Sequence, residues 1–309
     1  MTFLTANGIT VEYADAGKES DPAVLLIAGL GTQMIRWTKP FCERLVERGF
    51  RVIRFDNRDT GLSTHLTDQP APDFSALARA IETGRTPMVP YTLHDMAADA
   101  IGVLDALRVD RAHVVGRSMG GMIAQLMASD HPQRVLSLTA IMSSTANPGL
   151  PAAAPDVMAM LTTQPPDPAE NEEAYVAHRL AFARRIAGSG FVFDERAHRD
   201  LVLEECRRAY DPAGVVRQIA AIGATGDVRS RLARIVAPTL VIHGSDDCLI
   251  PPACGEDVAA SIHGAIFLLI DGMGHDLPAD LDETVVEAIC SNARRQPGDL
   301  WLRARCETA

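Results

Sequence analysis

The sequence contains no CxxC pair, and none of its six cysteines (Cys42, Cys206, Cys248, Cys254, Cys290 and Cys306) stands with histidine at zinc-finger spacing. The cysteines are expected as reduced, mostly buried thiols, with Cys206, Cys248 and Cys254 leaving one disulfide open. HExxH is absent, and no metal constellation stands out, so no metal is expected. No stretch approaches the roughly 18 apolar residues that a membrane helix needs. The N-terminal "MTFLTANGITVEYADAG" lacks the basic and then apolar regions of a secretory leader. The expected localisation is cytoplasmic, with no membrane partner, although a leader removed beforehand would leave no trace. Positive charge is also short: 29 Lys and Arg stand against 40 Asp and Glu, a formal net charge of -11. That balance excludes the basic surface a nucleic-acid partner requires. It says little about substrate, because solubility alone accounts for an acidic surface. There are no internal repeats, and "TQPPDPAENEE" is the only biased segment.

The composition, 47% hydrophobic and 22% charged over 309 residues, is that of one large soluble domain or one domain with an insertion. A strand is read over residues 11–16 with a turn at Gly17. "AVLLIAG" (residues 23–29) is a continuous apolar run closed by glycine, the pattern of a strand buried on both faces. "TKPFCERLVERGF" reads as an amphipathic helix, "RVIRFD" as a strand, residues 93–107 as a helix, "AHVVG" as a strand and "MGGMIAQLMASDHP" as a helix. "VLSLTAIMSS" is a further strand. This alternation implies a mostly parallel sheet covered by helices on both faces, an α/β fold. The rhythm stops after Ser144. Residues 146–228 carry no buried-strand pattern, only prolines and charged helical stretches such as "AYVAHRLAFARRIAG" and "HRDLVLEECRRAY". It resumes with "PTLVIHG", "AIFLLIDG" and a last helix over residues 283–293. The division is therefore residues 1–145 and 229–293 as core, 146–228 as helical insertion, and 294–309 as a polar, loosely held tail with Trp301 and Leu302 as its only large apolar pair.

The chemistry concentrates in "HVVGRSMGG". Gly116-Arg117-Ser118-Met119-Gly120 is a G-x-S-x-G pattern between a buried strand and a helix, where a tight turn can lift a serine Oγ above the sheet. The two glycines leave room for close approach of strand and helix, and the Met119 amide at the helix start can face a developing oxyanion. The competing reading is a serine that only caps the helix. Serine needs a base, and His275, in "IDGMGHDLP" just after a strand, is the candidate. His65, His94, His178, His198 and His263 read as solvated or capping residues, and His113 as a packed one. "HGSDDCLIPP" offers Asp246 and Asp247 as acids that fix the base's tautomer, although paired acids at a strand end also occur as plain turn residues. The loop "IAGLGTQMIRW" can supply a second oxyanion donor, the amide of Leu30.

"DNRDTGLS", "GRSMGG", "HGSDD" and "GMGH" together resemble segments of the α/β-hydrolase superfamily with a helical cap, and the likeness runs from about Phe3 to Ala293. "RFDNRDTGLST" with "HVVGRSMGG" and "DGMGH" is similar to a narrower group within it, the methylesterases of the aclacinomycin type. The resemblance implies a triad of Ser118, Asp247 and His275, the acid being placed three residues after the glycine of "HGSDD". It implies an oxyanion hole from the Leu30 and Met119 amides, and it needs no cofactor. Many relatives carry histidine before the oxyanion glycine, and here that residue is Ala28.

The expected activity is hydrolysis of a hydrophobic, small-molecule carboxylic ester through an acyl-enzyme, and the oligomeric state is unknown. A polyketide methylesterase, a carbon–carbon bond hydrolase and a cofactor-free haloperoxidase stay open on the same scaffold, whereas Ser118 excludes the aspartate-dependent dehalogenases and epoxide hydrolases. Two rivals lie outside it: a non-catalytic binding protein, and a dinucleotide-binding protein suggested by G-x-G after the first buried strand and Asp56 after the next, with Met34 at the third glycine position. Apolar residues of the insertion, among them Met158, Met160, Phe182, Ile186, Phe191 and Phe193, are expected to hold its helices together and in part to line a pocket.

Overall fold

The computed structural model of the protein describes residues 1–69 and 72–296, so Trp301, Leu302 and Cys306 of the expected tail lie outside the described residues. Eight strands form one sheet: β1 (Thr2–Ala6), β2 (Ile9–Ala16), β3 (Ala23–Ile27), β4 (Arg51–Phe55), β5 (Ala112–Arg117), β6 (Val135–Ile141), β7 (Thr239–Gly244) and β8 (Ile266–Ile270). Their spatial order is β1-β2-β4-β3-β5-β6-β7-β8. β1 pairs with β2, and β2 with β4, in antiparallel register, whereas β3 through β8 and the β3–β4 pair run parallel.

The reading of residues 11–16 as the first strand is too short. β1 and β2 form a hairpin across Asn7 and Gly8, both at positive φ (47° and 80°), the conformation that an Asn-Gly turn favours. β3 and β7 are buried along their whole length, because helices cover both faces. α3 (Leu93–Ala106) and α4 (Met119–Asp130) pack on one face with Leu25, Ile53 and Val114. α1 (Lys39–Glu47) and α11 (Asp282–Ala293) pack on the other with Leu26, Val52 and Val115. Consecutive strand residues thus serve opposite cores. A helix the sequence reading passed over, α2 (Phe74–Glu82), lies between β4 and α3.

Between β6 and β7 the described chain forms helices and no strand: α5 (Pro155–Thr162), α6 (Glu172–Ile186), α7 (Glu195–Arg208), α8 (Pro212–Thr225) and the single turn α9 (Arg229–Leu232). α6 and α7 have a small core of their own, Tyr175, Val176, Leu180 and Val202. Asp194 and Asp211 cap α7 and α8 by accepting backbone N–H bonds. α10 (Pro252–Ala260) joins β7 to β8. Cys206, Cys248 and Cys254 are free thiols, so the disulfide left open among them does not form.

Candidate active site

Three strand ends bring Ser118, Asp247 and His275 together. Ser118 sits between β5 and α4 with φ 55° and ψ -124°, outside the regions that non-glycine residues favour. The neighbours enforce this. A Cβ on Gly116 would meet the Gly120 carbonyl oxygen at 2.0 Å, and one on Gly120 would meet the Ile27 carbonyl oxygen at 2.3 Å. Only glycine at both positions lets α4 start this close to β3 and β5. The Ser118 N–H bonds the Ile141 carbonyl (2.9 Å), and its carbonyl accepts from Ser143 Oγ (2.9 Å), which clamps the turn on both sides.

His275 follows β8. Its Nε2 lies 3.0 Å from Ser118 Oγ and its Nδ1 lies 2.7 Å from Asp247 Oδ2. An ionised carboxylate only accepts, so Nδ1 carries the proton and Nε2 is left to accept the serine hydroxyl. The other oxygen of Asp247 accepts the Leu249 and Ile250 N–H groups at 3.0 and 2.8 Å. Burial pushes the Asp247 carboxyl up, but the facing His275, the hydrogen bonds of His243 and His275, and the Ile250 N–H outweigh it and hold the group well below the usual carboxylate range. Asp246 points elsewhere: it is exposed to solvent on one side and accepts from Ser189 N (3.0 Å), Ser189 Oγ and Ser245 Oγ.

Several groups that hold this arrangement were not singled out in the sequence. His243, fully buried near the end of β7, directs Nε2 at the Ile250 carbonyl (2.8 Å) and lies 3.4 Å from Asp247 Oδ2. The chain around His275 is bound to the insertion through its backbone. The His275 and Gly274 N–H groups donate to the Ile186 and Ala187 carbonyls (2.6 and 3.1 Å), and the Gly190 N–H donates to Gly272 O (2.9 Å). Gly188, at φ +87°, approaches so closely that a Cβ would lie 2.4 Å from Gly274 N.

The loop after β3 abuts the serine, since a Cβ on Gly29 would be 3.3 Å from Ser118 Cβ. Its Gly31 N–H is occupied by Gln218 Oε1 of α8 (2.8 Å), its Met34 N–H by Asp56 (2.6 Å), and its Ala28 carbonyl by Asn57 Nδ2 (3.1 Å). The Leu30 and Met119 N–H groups donate to no turn, loop or side-chain acceptor among the described residues. Asn57 thus steadies the loop that starts at Ala28. The same contacts explain the partial dinucleotide pattern. Asp56 bonds Met34 N, Leu62 N (3.0 Å) and Arg208 (2.7 Å), and a Cβ on Gly61 would lie 2.0 Å from its Oδ2, so its carboxylate is enclosed by protein.

A cavity of about 700 Å³ has none of the three residues in its wall. Arg117 and Asp276, the sequence neighbours of Ser118 and His275, are in its wall, with Arg36 and, from the insertion, Phe191, Phe193 and His198. His198, read from the sequence as solvated or capping, lies 3.1 Å from Asp276 Oδ2 and stacks on Phe193 with ring centroids 4.4 Å apart. Among the other histidines, His65 bridges Asp211 and the Gly61 carbonyl, His94 pairs with Asp130, and His113 packs on Phe50 beside Ser137. Asp59, His65 and Asp211 lie close enough to share an ion, but Arg217 already bonds both carboxylates. No described helix is long and apolar enough to cross a membrane.

Residues 22–280 match the family model described as "alpha/beta hydrolase fold". The chain is 32% identical over 311 residues to a rhodomycin D methylesterase of Streptomyces peucetius, covering 94% of this chain and 97% of that protein. Among solved structures it is similar to a hydrolase from Pseudomonas aeruginosa (26% identity, TM-score 0.68, 95% and 98% of the two chains). In fold alone it is similar to the enol-lactonase from Burkholderia xenovorans (23% identity, TM-score 0.72, 95% and 100%).

Proposed function

The chain belongs to the alpha/beta hydrolase fold family, and from that premise we propose that it is a carboxylic ester hydrolase with Ser118 as nucleophile, His275 as general base and Asp247 as the acid that orients it. The observation that carries the reading is the continuous hydrogen-bond relay from Ser118 Oγ through His275 to Asp247, on a serine held at positive φ.

Ser118 Oγ attacks the ester carbonyl as its proton passes to His275 Nε2. The carbonyl oxygen, now negative, takes the free N–H groups of Leu30 and Met119, the second reinforced by the start of α4. The tetrahedral intermediate collapses, and the C–O bond to the alcohol breaks. His275 returns its proton to the leaving alkoxide, which leaves the acyl group on Ser118. Water then gives a proton to His275, attacks the acyl carbon and releases the acid, and the proton goes back to Ser118. Asp247 stays ionised throughout and balances the imidazolium, for which its low pKa suits it.

Residues 146–228 form the cap in this reading. The likeness to a rhodomycin D methylesterase makes the methyl ester of rhodomycin D the first natural substrate to try. The test is a serine-directed fluorophosphonate followed by an ester panel: labelling and turnover of para-nitrophenyl esters are expected in the wild type and absent from a folded Ser118→Ala variant. Turnover that survives in that variant overturns the assignment.

A further inference from the structure

One wall of the cavity of about 700 Å³ carries a guanidinium, that of Arg117, with no ion-pair partner among the described residues. Arg117 ends β5, next to Ser118, and its guanidinium lies over the Trp37 ring at 5.8 Å. Its single hydrogen bond among the described residues is a long one, 3.4 Å from Nη1 to the Arg36 carbonyl, and it forms no ion pair there. Its neighbours are already matched. Arg36 is held by both oxygens of Glu205 at 2.9 and 2.6 Å, and Asp276 faces His198 Nε2. The Arg117 guanidinium is half-buried and belongs to the cavity wall, so its remaining N–H groups are open to a ligand. Burial pulls the Arg117 pKa down, against the weaker pull of Asp276 in the same wall. Nδ1 of His198 is buried without a partner.

We propose that this cavity receives an ionised acidic group of the substrate, such as a carboxylate, on the guanidinium of Arg117. The substrates favoured are then esters bearing a second, anionic function. A planar guanidinium offers a carboxylate two parallel N–H donors, and the Trp37 ring supports its face. Phe191 and Leu277 supply apolar wall for the carbon body attached to that group. The exposed residues Asp194, Glu195, Asp200, Glu204 and Asp280 also line the cavity. These carboxylates repel a second negative charge there, so the rest of the ligand is neutral or cationic. The inference rests on the esterase reading for the word substrate, but not for the binding of the anion.

The test has two arms. In a Ser118→Ala, Trp301→Phe background, Trp37 is the sole tryptophan and reports ligand by its fluorescence. Benzoate is expected to bind about tenfold or more tighter than benzamide, and Arg117→Met to remove that difference while Arg117→Lys keeps part of it. In active enzyme, para-nitrophenyl hemiglutarate is compared with para-nitrophenyl valerate. The ratio of their kcat/KM values is expected to favour the acidic ester and to fall about tenfold or more in Arg117→Met. If the wild-type protein binds benzoate no better than benzamide, or if Arg117→Met lowers both esters in proportion, the subsite proposal is overturned whether or not the esters are cleaved. If benzoate binds through Arg117 and no ester is cleaved, the subsite stands and the esterase reading falls.

Discussion

Two adjacent carboxylates, Asp246 and Asp247, have opposite surroundings, and exchanging each for its amide separates their roles. Asp247 is 4% exposed, with Oδ2 2.7 Å from His275 Nδ1 and Oδ1 held by two backbone N–H groups. In Asp247→Asn those N–H groups will keep the amide oxygen on their side, which turns the amide NH2 toward Nδ1. The imidazole then adopts the tautomer protonated on Nε2, which cannot accept the Ser118 proton, and the imidazolium loses its counter-charge. The scale of that change in a protease triad is about 10⁴ in kcat, or about 5.5 kcal/mol of barrier. Asp246 touches no reacting group. Asp246→Asn keeps an acceptor for Ser189 and weakens a half-exposed clamp, at most about 1 kcal/mol, so kcat is expected to fall by less than about tenfold. Both variants would be assayed on one para-nitrophenyl ester at saturation, with active sites counted by fluorophosphonate burst and folding checked by circular dichroism. A crippled Asp246→Asn beside an active Asp247→Asn would move the acid by one residue. Full activity in both would mean that neither carboxylate orients His275.

His113 gives the protein an acid-side stability slope. Burial, with Arg111 adding to it, lowers its pKa to about 4 from 6.5, so between those values the unfolded chain holds a proton that the folded one does not. Stability therefore falls as pH drops through that window, by about 3 kcal/mol in full. Urea unfolding at two pH values should show a shallower dependence for His113→Gln, and an equal slope would refute the account. Gly188→Ala places a Cβ 2.4 Å from Gly274 N. Displacing His275 should lower kcat about 10²-fold while the far-ultraviolet spectrum is retained, and unchanged kcat would show that the contact does not position the base. Glu205→Leu leaves Arg36 buried without its partner, a loss of about 3 to 5 kcal/mol by denaturant titration, and a loss below about 1 kcal/mol would mean that water reaches Arg36 freely.

The parallel part of the sheet was readable because double burial writes itself as unbroken apolar runs such as residues 23–27 and 240–242, and the serine turn because sterics demand glycine at 116 and 120. β1 escaped because "TFLTA" is mostly exposed and carries little pattern, although the Asn-Gly pair after it was the local signal of a hairpin. α5 and α8, which begin at Pro155 and Pro212, were not delimited inside the insertion, where only the stretches of α6 and α7 stood out as helical. What no local pattern announces is contact between distant segments. Gln218 on the Gly31 amide, Glu205 on Arg36 and Ile186 on the His275 amide each join residues at least 89 positions apart by hydrogen bonds that composition and spacing do not encode.

The backbone ladder between residues 186–190 and 272–275 bears on how such a protein can be recombined. An insertion between two strands looks like a cassette, removable at its ends without touching the machinery below. Here the cassette contains the carbonyls that hold the candidate base and, at Gln218, the side chain that fixes the loop after β3. A chimera cut at residues 146 and 228 would import foreign partners for both. Breakpoints that leave 186–190 and 217–218 with the host, and exchange only the α5 region and the outward surfaces of α6 and α7, are the ones from which new specificity can be selected without rebuilding the reaction centre.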